Sequence, residues 1–331
     1  MSITPIIHQF PIPTPFMVGP VNVYLLEGDP LTLIDVGPNS PEAYDALVGA
    51  LAQAGYTLRD IQQIIITHHH TDHLGQIGRI AEESGAKVLA HPLTRAFLEN
   101  PATTHERYKL FSQVIFHEAA VPDEVVRHIN RSYEFLQRYG NQPTSVFHVL
   151  DEGDMVEAGN VEWQVYHTPG HAGDLICLCH AASQTLIASD HIILKISSNP
   201  LIEPAAVEGQ SRPRRLLEYI AQLQRMAALD IRIAYSGHGV PVEDVQGLVE
   251  KRVAFHHQRA AQIFDFFEGH AYHLWDLTEK MFAHVPSGEK YLALSEVLGH
   301  IDLLERDGKL IRDYRDGIVY WQPRTEAYQH R

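Results

Sequence analysis

Residues 64–75 read IIITHHHTDHLG, and this stretch decides the fold. Three isoleucines in a row mark a strand buried on both faces. The charged and metal-ligating residues begin where that strand stops. Along an extended segment alternate side chains point the same way, so His68 and His70 can share one metal ion. Where the chain then turns toward a helix, Asp72 and His73 can swing to a second. His69 is expected to turn away, toward solvent or core.

Working outward, three more residues sit where a strand meets a loop, the edge at which an α/β scaffold displays chemistry. His171 follows His167-Thr-Pro-Gly, Asp190 ends the strand Leu186-Ile-Ala-Ser, and His238 lies in Ser236-Gly-His-Gly. The adjoining glycines permit tight turns that leave an imidazole projecting.

The surrounding pattern alternates strand and helix, which implies α/β layering. Strands are expected at 21–27, 31–36, 60–67, 87–90, 145–150, 161–167, 174–179, 185–189 and 231–235, with helices at 41–54, 75–84 and 213–227. Residues 93–142 break the alternation with three helical stretches and read as an insertion inside the catalytic domain. An insertion of this size serves as a lid or as a homodimer surface. A connecting helix covers 241–270. Residues 271–331 read as a small separate unit, two helices followed by a hairpin at 309–321, the pattern of a winged helix.

The order HxHxDH, His, Asp, His resembles the metallo-β-lactamase superfamily, most closely its glyoxalase II-like dinuclear branch, over roughly residues 15–240. The resemblance implies a four-layer αββα sandwich. It assigns His68, His70 and His171 to a first metal, Asp72, His73 and His238 to a second, and Asp190 to both. It also implies that Asp35, in Leu33-Ile-Asp-Val-Gly, buttresses the ligands from behind. Domain boundaries follow as 1–240 catalytic, 241–270 connecting and 271–331 winged-helix-like. Dedicated β-lactamases of one class place a Cys near the position of Asp190, and those of another lack a bridging carboxylate. No glutathione-binding region of the glyoxalase II kind is visible.

The activity implied is hydrolysis of a small-molecule ester, thioester or lactone by a hydroxide shared between two divalent cations. Asp72 and Asp190 are the catalytic carboxylates, and zinc is the first choice of metal, with iron and manganese as alternatives. Candidate substrate contacts are His191, Lys195 and Asn22. The alternatives are a phosphodiesterase or ribonuclease on the same scaffold, an oxidoreductase resembling the persulfide dioxygenases and using one iron, and a metal-stabilised binding protein.

Composition narrows the choice. Of 331 residues, 26 are Lys or Arg and 41 Asp or Glu, a net charge of −15 that disfavours a nucleic-acid substrate. The two cysteines, Cys177 and Cys179, alternate on one strand face and read as small buried thiols. The segment MSITPIIHQFPIPTPF has no basic stretch followed by an apolar core, and no run is long enough to span a membrane. A cytoplasmic location and no membrane partner are expected.

Overall fold

The computed structural model describes residues 4–324. A six-stranded sheet runs β1 (Ile6–Ile12), β2 (Val21–Glu27), β3 (Thr32–Ile34), β4 (Gln63–Ile66), β5 (Lys87–Ala90), β6 (His148–Val149) in spatial as in chain order. Strand β1 is not legible in the sequence. It carries Pro11, which donates no hydrogen bond, and it lies at the sheet edge where that loss is tolerated. Five strands form the second sheet: β7 (Met155–Ala158), β8 (Val161–His167), β9 (Ile176–His180), β10 (Thr185–Ser189) and β11 (Ile233–Ser236). Strand β7 also goes unannounced, being four residues of alternating exposure at the other edge.

The period-2 alternation of side chains builds the layers. Tyr24, Leu26, Ile34 and Ile65 point inward and meet Trp163, Val165, Ile176, Leu178 and Ile187 of the second sheet. Val23, Leu25, Ile64 and Ile66 point outward and are covered by α1 (Pro41–Gln53) and α3 (Ile77–Ser84), through Leu47, Leu51, Ile77 and Ile80; α2 (Thr71–Leu74) precedes α3. Helix α1 starts cleanly because Ser40 accepts a hydrogen bond from the Ala43 amide and Pro41 has no amide to orphan. On the outer face of the second sheet, Cys177, Cys179, Leu186 and Ala188 lie in one cluster with residues of α7 (Arg215–Ala227) and α8 (Val245–Asp265). Helix, sheet, sheet, helix is the expected four-layer order. Both thiols are buried, and burial pushes Cys177 up to about 12 and Cys179 to about 11, which favours the protonated thiol in both.

The insertion forms α4 (Pro92–Glu99), α5 (Pro101–Glu118) and α6 (Asp123–Gln137). The C-terminal segment has β12 (Tyr272–His273), α9 (Leu274–Phe282), α10 (Lys290–Arg306) and the hairpin β13 (Leu310–Arg315) and β14 (Ile318–Pro323), which pairs with β12. Helix order and hairpin agree with the sequence reading, but the segment is not walled off. Leu294, Val297, Leu298, Ile301 and Leu304 of α10 belong to the same apolar cluster as Leu175, Leu186, Leu216 and Leu223. Among the described residues no helix is long and apolar enough to cross a membrane.

Where α8 meets α10, two buried histidines face each other, with His256 Nδ1 3.2 Å from His300 Nε2. Burial holds His256 down at about 3 and His300 at about 4. The unfolded chain therefore takes up protons below about 6.5 that the folded chain refuses. The sign is acid destabilisation, absent above that pH and accumulating as pH falls toward 4. Denaturant titrations at pH 7 and pH 5 should show a stability loss that shrinks by roughly 1 to 2 kcal/mol for each of His256→Gln and His300→Gln. An unchanged difference in both variants would remove these histidines as its source.

Candidate metal centre

The seven predicted ligands converge from loops at one edge of the sandwich. His68 to His73 follow β4, His171 follows β8, and Asp190 and His238 follow the adjacent parallel strands β10 and β11. His68 Nε2 lies 3.0 Å from His70 Nδ1, which lies 2.9 Å from His171 Nε2. His238 Nε2 lies 3.4 Å from Asp72 Oδ2. Asp190 stands between the two groups. Its Oδ1 is 3.4 Å from His73 Nε2, and its Oδ2 is 3.5 Å from both His171 Nε2 and His238 Nε2. Within each of the triads His68–His70–His171, His68–His73–Asp190 and Asp72–His73–His238, the ligand atoms lie within 4.8 Å of one another.

The outward nitrogens of four of the five histidines have partners, which fixes the tautomers and aims the other nitrogen inward, while His70 Nε2 is buried without one. His73 Nδ1 donates to Asp35 Oδ2 at 2.8 Å, His238 Nδ1 to the Pro20 carbonyl at 2.8 Å and His171 Nδ1 to the Asn199 carbonyl at 3.1 Å. His68 Nδ1 meets Thr67 Oγ1 at 3.1 Å. Asp35, which the resemblance places behind the ligands, also accepts from the Thr67 amide and hydroxyl, both at 2.8 Å. Ser189 Oγ closes the set at 2.8 Å from Thr67 Oγ1, tying the two sheets together directly beneath the site. Thr67 and Ser189 escape the sequence reading; each immediately precedes a ligand, which is the signal that would have found them.

The electrostatics suit cations. Burial, then neighbouring imidazoles, hold His68 and His70 well below the usual histidine range, so both stay neutral. Burial also lowers His171. Burial alone would raise Asp72 and Asp190, but His73 and His238 keep both low and ionised. Burial would lower His73 and His238, yet Asp190, with help from Asp35 and Asp72, drives His73 well up and carries His238 to about 10. His68, His70 and His171 and the two carboxylates are thus in the states a metal requires, while His73 and His238 would each give up a proton to bind one. His73 Nε2 and Asp190 Oδ1 are buried with no hydrogen-bond partner, an arrangement that is costly unless something positive lies between them. A donor set of imidazole nitrogens and carboxylate oxygens fits two divalent cations.

The expected substrate contacts fare differently. Asn22 is buried and spends its amide on the carbonyls of Ser236 (2.9 Å) and Gly239 (3.0 Å), bracing the His238 turn rather than facing outward. Tyr24 assists by donating to the Ser236 carbonyl at 2.5 Å. His191 is fully buried with its ring edge-on to Tyr219, so it lies behind the site and not on a cleft wall. Lys195 is exposed on the loop after Asp190. His69 turns away as expected, into a buried polar cluster against the helical insertion, where it stacks on Phe97 with 3.9 Å between ring centres.

Comparison with known proteins agrees with this geometry. Residues 17–238 match the Metallo-beta-lactamase superfamily. The chain is 33% identical over 314 residues to the probable metallo-hydrolase YqjP of Bacillus subtilis, covering 94% of this chain and 96% of that one. It is 20% identical over 259 residues to an atrochrysone carboxyl ACP thioesterase of Cryptosporiopsis, covering 77% of this chain and 60% of that one. Among solved structures, the metallo-beta-lactamase family protein TTHA1429 of Thermus thermophilus superposes with a TM-score of 0.80 at 26% identity, over 96% of this chain and 98% of the other. With its motif residues gathered at one edge of an αββα sandwich, the chain belongs to the metallo-beta-lactamase superfamily.

Proposed function

We propose that the chain is a dinuclear metal-dependent hydrolase of a small-molecule ester, thioester or lactone. The observation that carries this reading is Asp190, whose carboxylate stands between the two groups of three donors, with Oδ1 facing His73 and Oδ2 facing both His171 and His238. His68, His70 and His171 would hold one cation, and Asp72, His73 and His238 the other, with zinc first among the candidates. The chemistry the pair supplies when bound is Lewis-acid polarisation of the scissile carbonyl and a water whose pKa falls to about 7. Asp72 keeps an oxygen free to accept a proton from the attacking water and so orient it. Asp190 sets the spacing of the two groups. Asp35, Pro20 and Asn199 keep the imidazoles from rotating as charge develops. The thioesterase among the relatives supports acyl chemistry as the class.

The test is metal analysis coupled to a substrate panel. Two divalent cations per chain are expected, with hydrolysis of some ester, thioester or lactone that a chelator abolishes and added zinc restores. His70→Ala should lower the metal content and remove activity while the circular dichroism spectrum persists. One iron per chain with oxygen consumption on a persulfide would replace this reading by the oxidoreductase one. Cleavage of phosphodiesters alone would replace it by the nuclease one.

Lys195 is proposed as a contact for an anionic group on the substrate, since it is exposed five residues beyond Asp190. Lys195→Ala should raise KM several-fold for a carboxylate-bearing ester, by loss of one rim charge pair worth up to about 1 kcal/mol, and leave a neutral ester unchanged. Equal effects on both esters would remove Lys195 from recognition.

A further inference from the structure

The cluster around His69 has no place in the chemistry above, yet it gathers buried charged groups around one imidazole. His69 Nδ1 lies 2.8 Å from Asp174 Oδ1, and His69 Nε2 lies 3.7 Å from Glu203 Oε1. Thr94 of α4 donates its hydroxyl to Asp174 Oδ2 at 2.7 Å. Glu203 Oε2 accepts from the Gly173 amide at 2.9 Å and from Arg215 Nε and Nη2, each at 2.8 Å. Asp174 and Glu203 are each only 2% exposed. Charges taken this far from water are expensive and persist only when closely paired.

What the cluster touches is selective. His69 lies between His68 and His70. Gly173 and Asp174 lie two and three residues after His171. A Cβ on Gly173 would come within 2.0 Å of Arg215 Nη2, so the guanidinium sits directly on the backbone of that turn. The two chain turns that supply His68, His70 and His171 are therefore pinned by one group of buried charges. The supports of the other side are different: Asp35 for His73, Pro20 and Asn22 for the His238 turn.

We propose that His69, Asp174, Glu203 and Arg215 are positioning residues that set the affinity of the first metal position and leave the second untouched. This rests on the dinuclear reading given above. The cluster also fastens that position to the helical insertion, through Thr94 and through Phe97 stacked on His69.

The test uses the full chain, stripped of metal and titrated with cobalt(II), read by visible d–d absorption and by bound metal per chain. Asp174→Asn keeps the volume and removes the charge. One cobalt equivalent should weaken by about 10- to 100-fold, the usual cost of losing a group that orients ligands, with the other equivalent unmoved. Thr94→Val, which removes one hydrogen bond and no charge, should weaken the same equivalent by about two- to tenfold. In an Asp72→Ala background, which retains the first group, the remaining equivalent should carry the loss. A variant that melts earlier yet binds both equivalents as the wild type does would show a merely structural cluster and overturn the proposal, as would equal weakening of both. Should Asp174→Asn not fold, Thr94→Val decides alone. A wild-type chain that takes up no cobalt sinks the dinuclear reading instead, so the two failures are distinguishable.

Discussion

An Asp190→Ala variant is expected to lose at least about three orders of magnitude in kcat/KM and to retain at most one divalent cation per chain. Among the described residues, Asp190 is the side chain that faces His171, His73 and His238 at once, at 3.4 to 3.5 Å. On the dinuclear proposal, removing it would deprive both cations of a shared anionic ligand and leave their mutual repulsion unscreened. Several kcal/mol of transition-state stabilisation go with it, and each 1.36 kcal/mol is about tenfold in rate. The fold should survive, because the local backbone is held independently: the Asp190 carbonyl accepts from Ser198 and the Ser189 carbonyl from the Gly237 amide. Metal per chain by mass spectrometry and steady-state kinetics provide the check. A variant that kept two cations and wild-type turnover would be incompatible with the proposed mechanism.

The second large effect is expected from a single methyl group. A Cβ on Gly237 would come within 2.0 Å of Asp190 Oδ1, 3.0 Å of His73 Cε1 and 3.1 Å of the Ser189 carbonyl carbon. The objection is space, and the carboxylate cannot retreat without leaving both groups of donors. Gly237→Ala should therefore cost about 100-fold or more in activity, the scale of an ångström-sized misplacement, with a matching fall in metal content. Gly49→Ala serves as the control. It lies in α1 with nothing within 4 Å of the added carbon, and alanine is the better helix former. Equal activity in the two variants would show that the Asp190 carboxylate has more freedom than its surroundings imply.

Much of this site can be read from residue order. Ile64 to Ile66 announce the buried strand, and HxHxDH at its end announces the ligands, because both signals are local and strongly periodic. His171, Asp190 and His238 are legible for the same reason, each at a strand end. What escapes are groups whose role depends on a partner far along the chain. Asp174 and Glu203 look like ordinary loop acids until the fold brings them to His69. Asn22 and His191 look like cleft residues because closeness in sequence to a strand end or a ligand is not closeness to the cleft in space. Asn22 instead serves a turn 214 residues away. Strand β1 is hidden by Pro11, which signals a break everywhere except at a sheet margin.

Helix α10, buried almost throughout from Ala293 to Leu304, fills a seam between the second sheet's helices and the terminal hairpin. Severing the chain ahead of it would strip Leu216 of its cover by Gly299 and open the apolar cluster to water. The C-terminal portion therefore completes the catalytic half's apolar interior, and chains cut short of α10 are expected to lose stability and expose an aggregation-prone face.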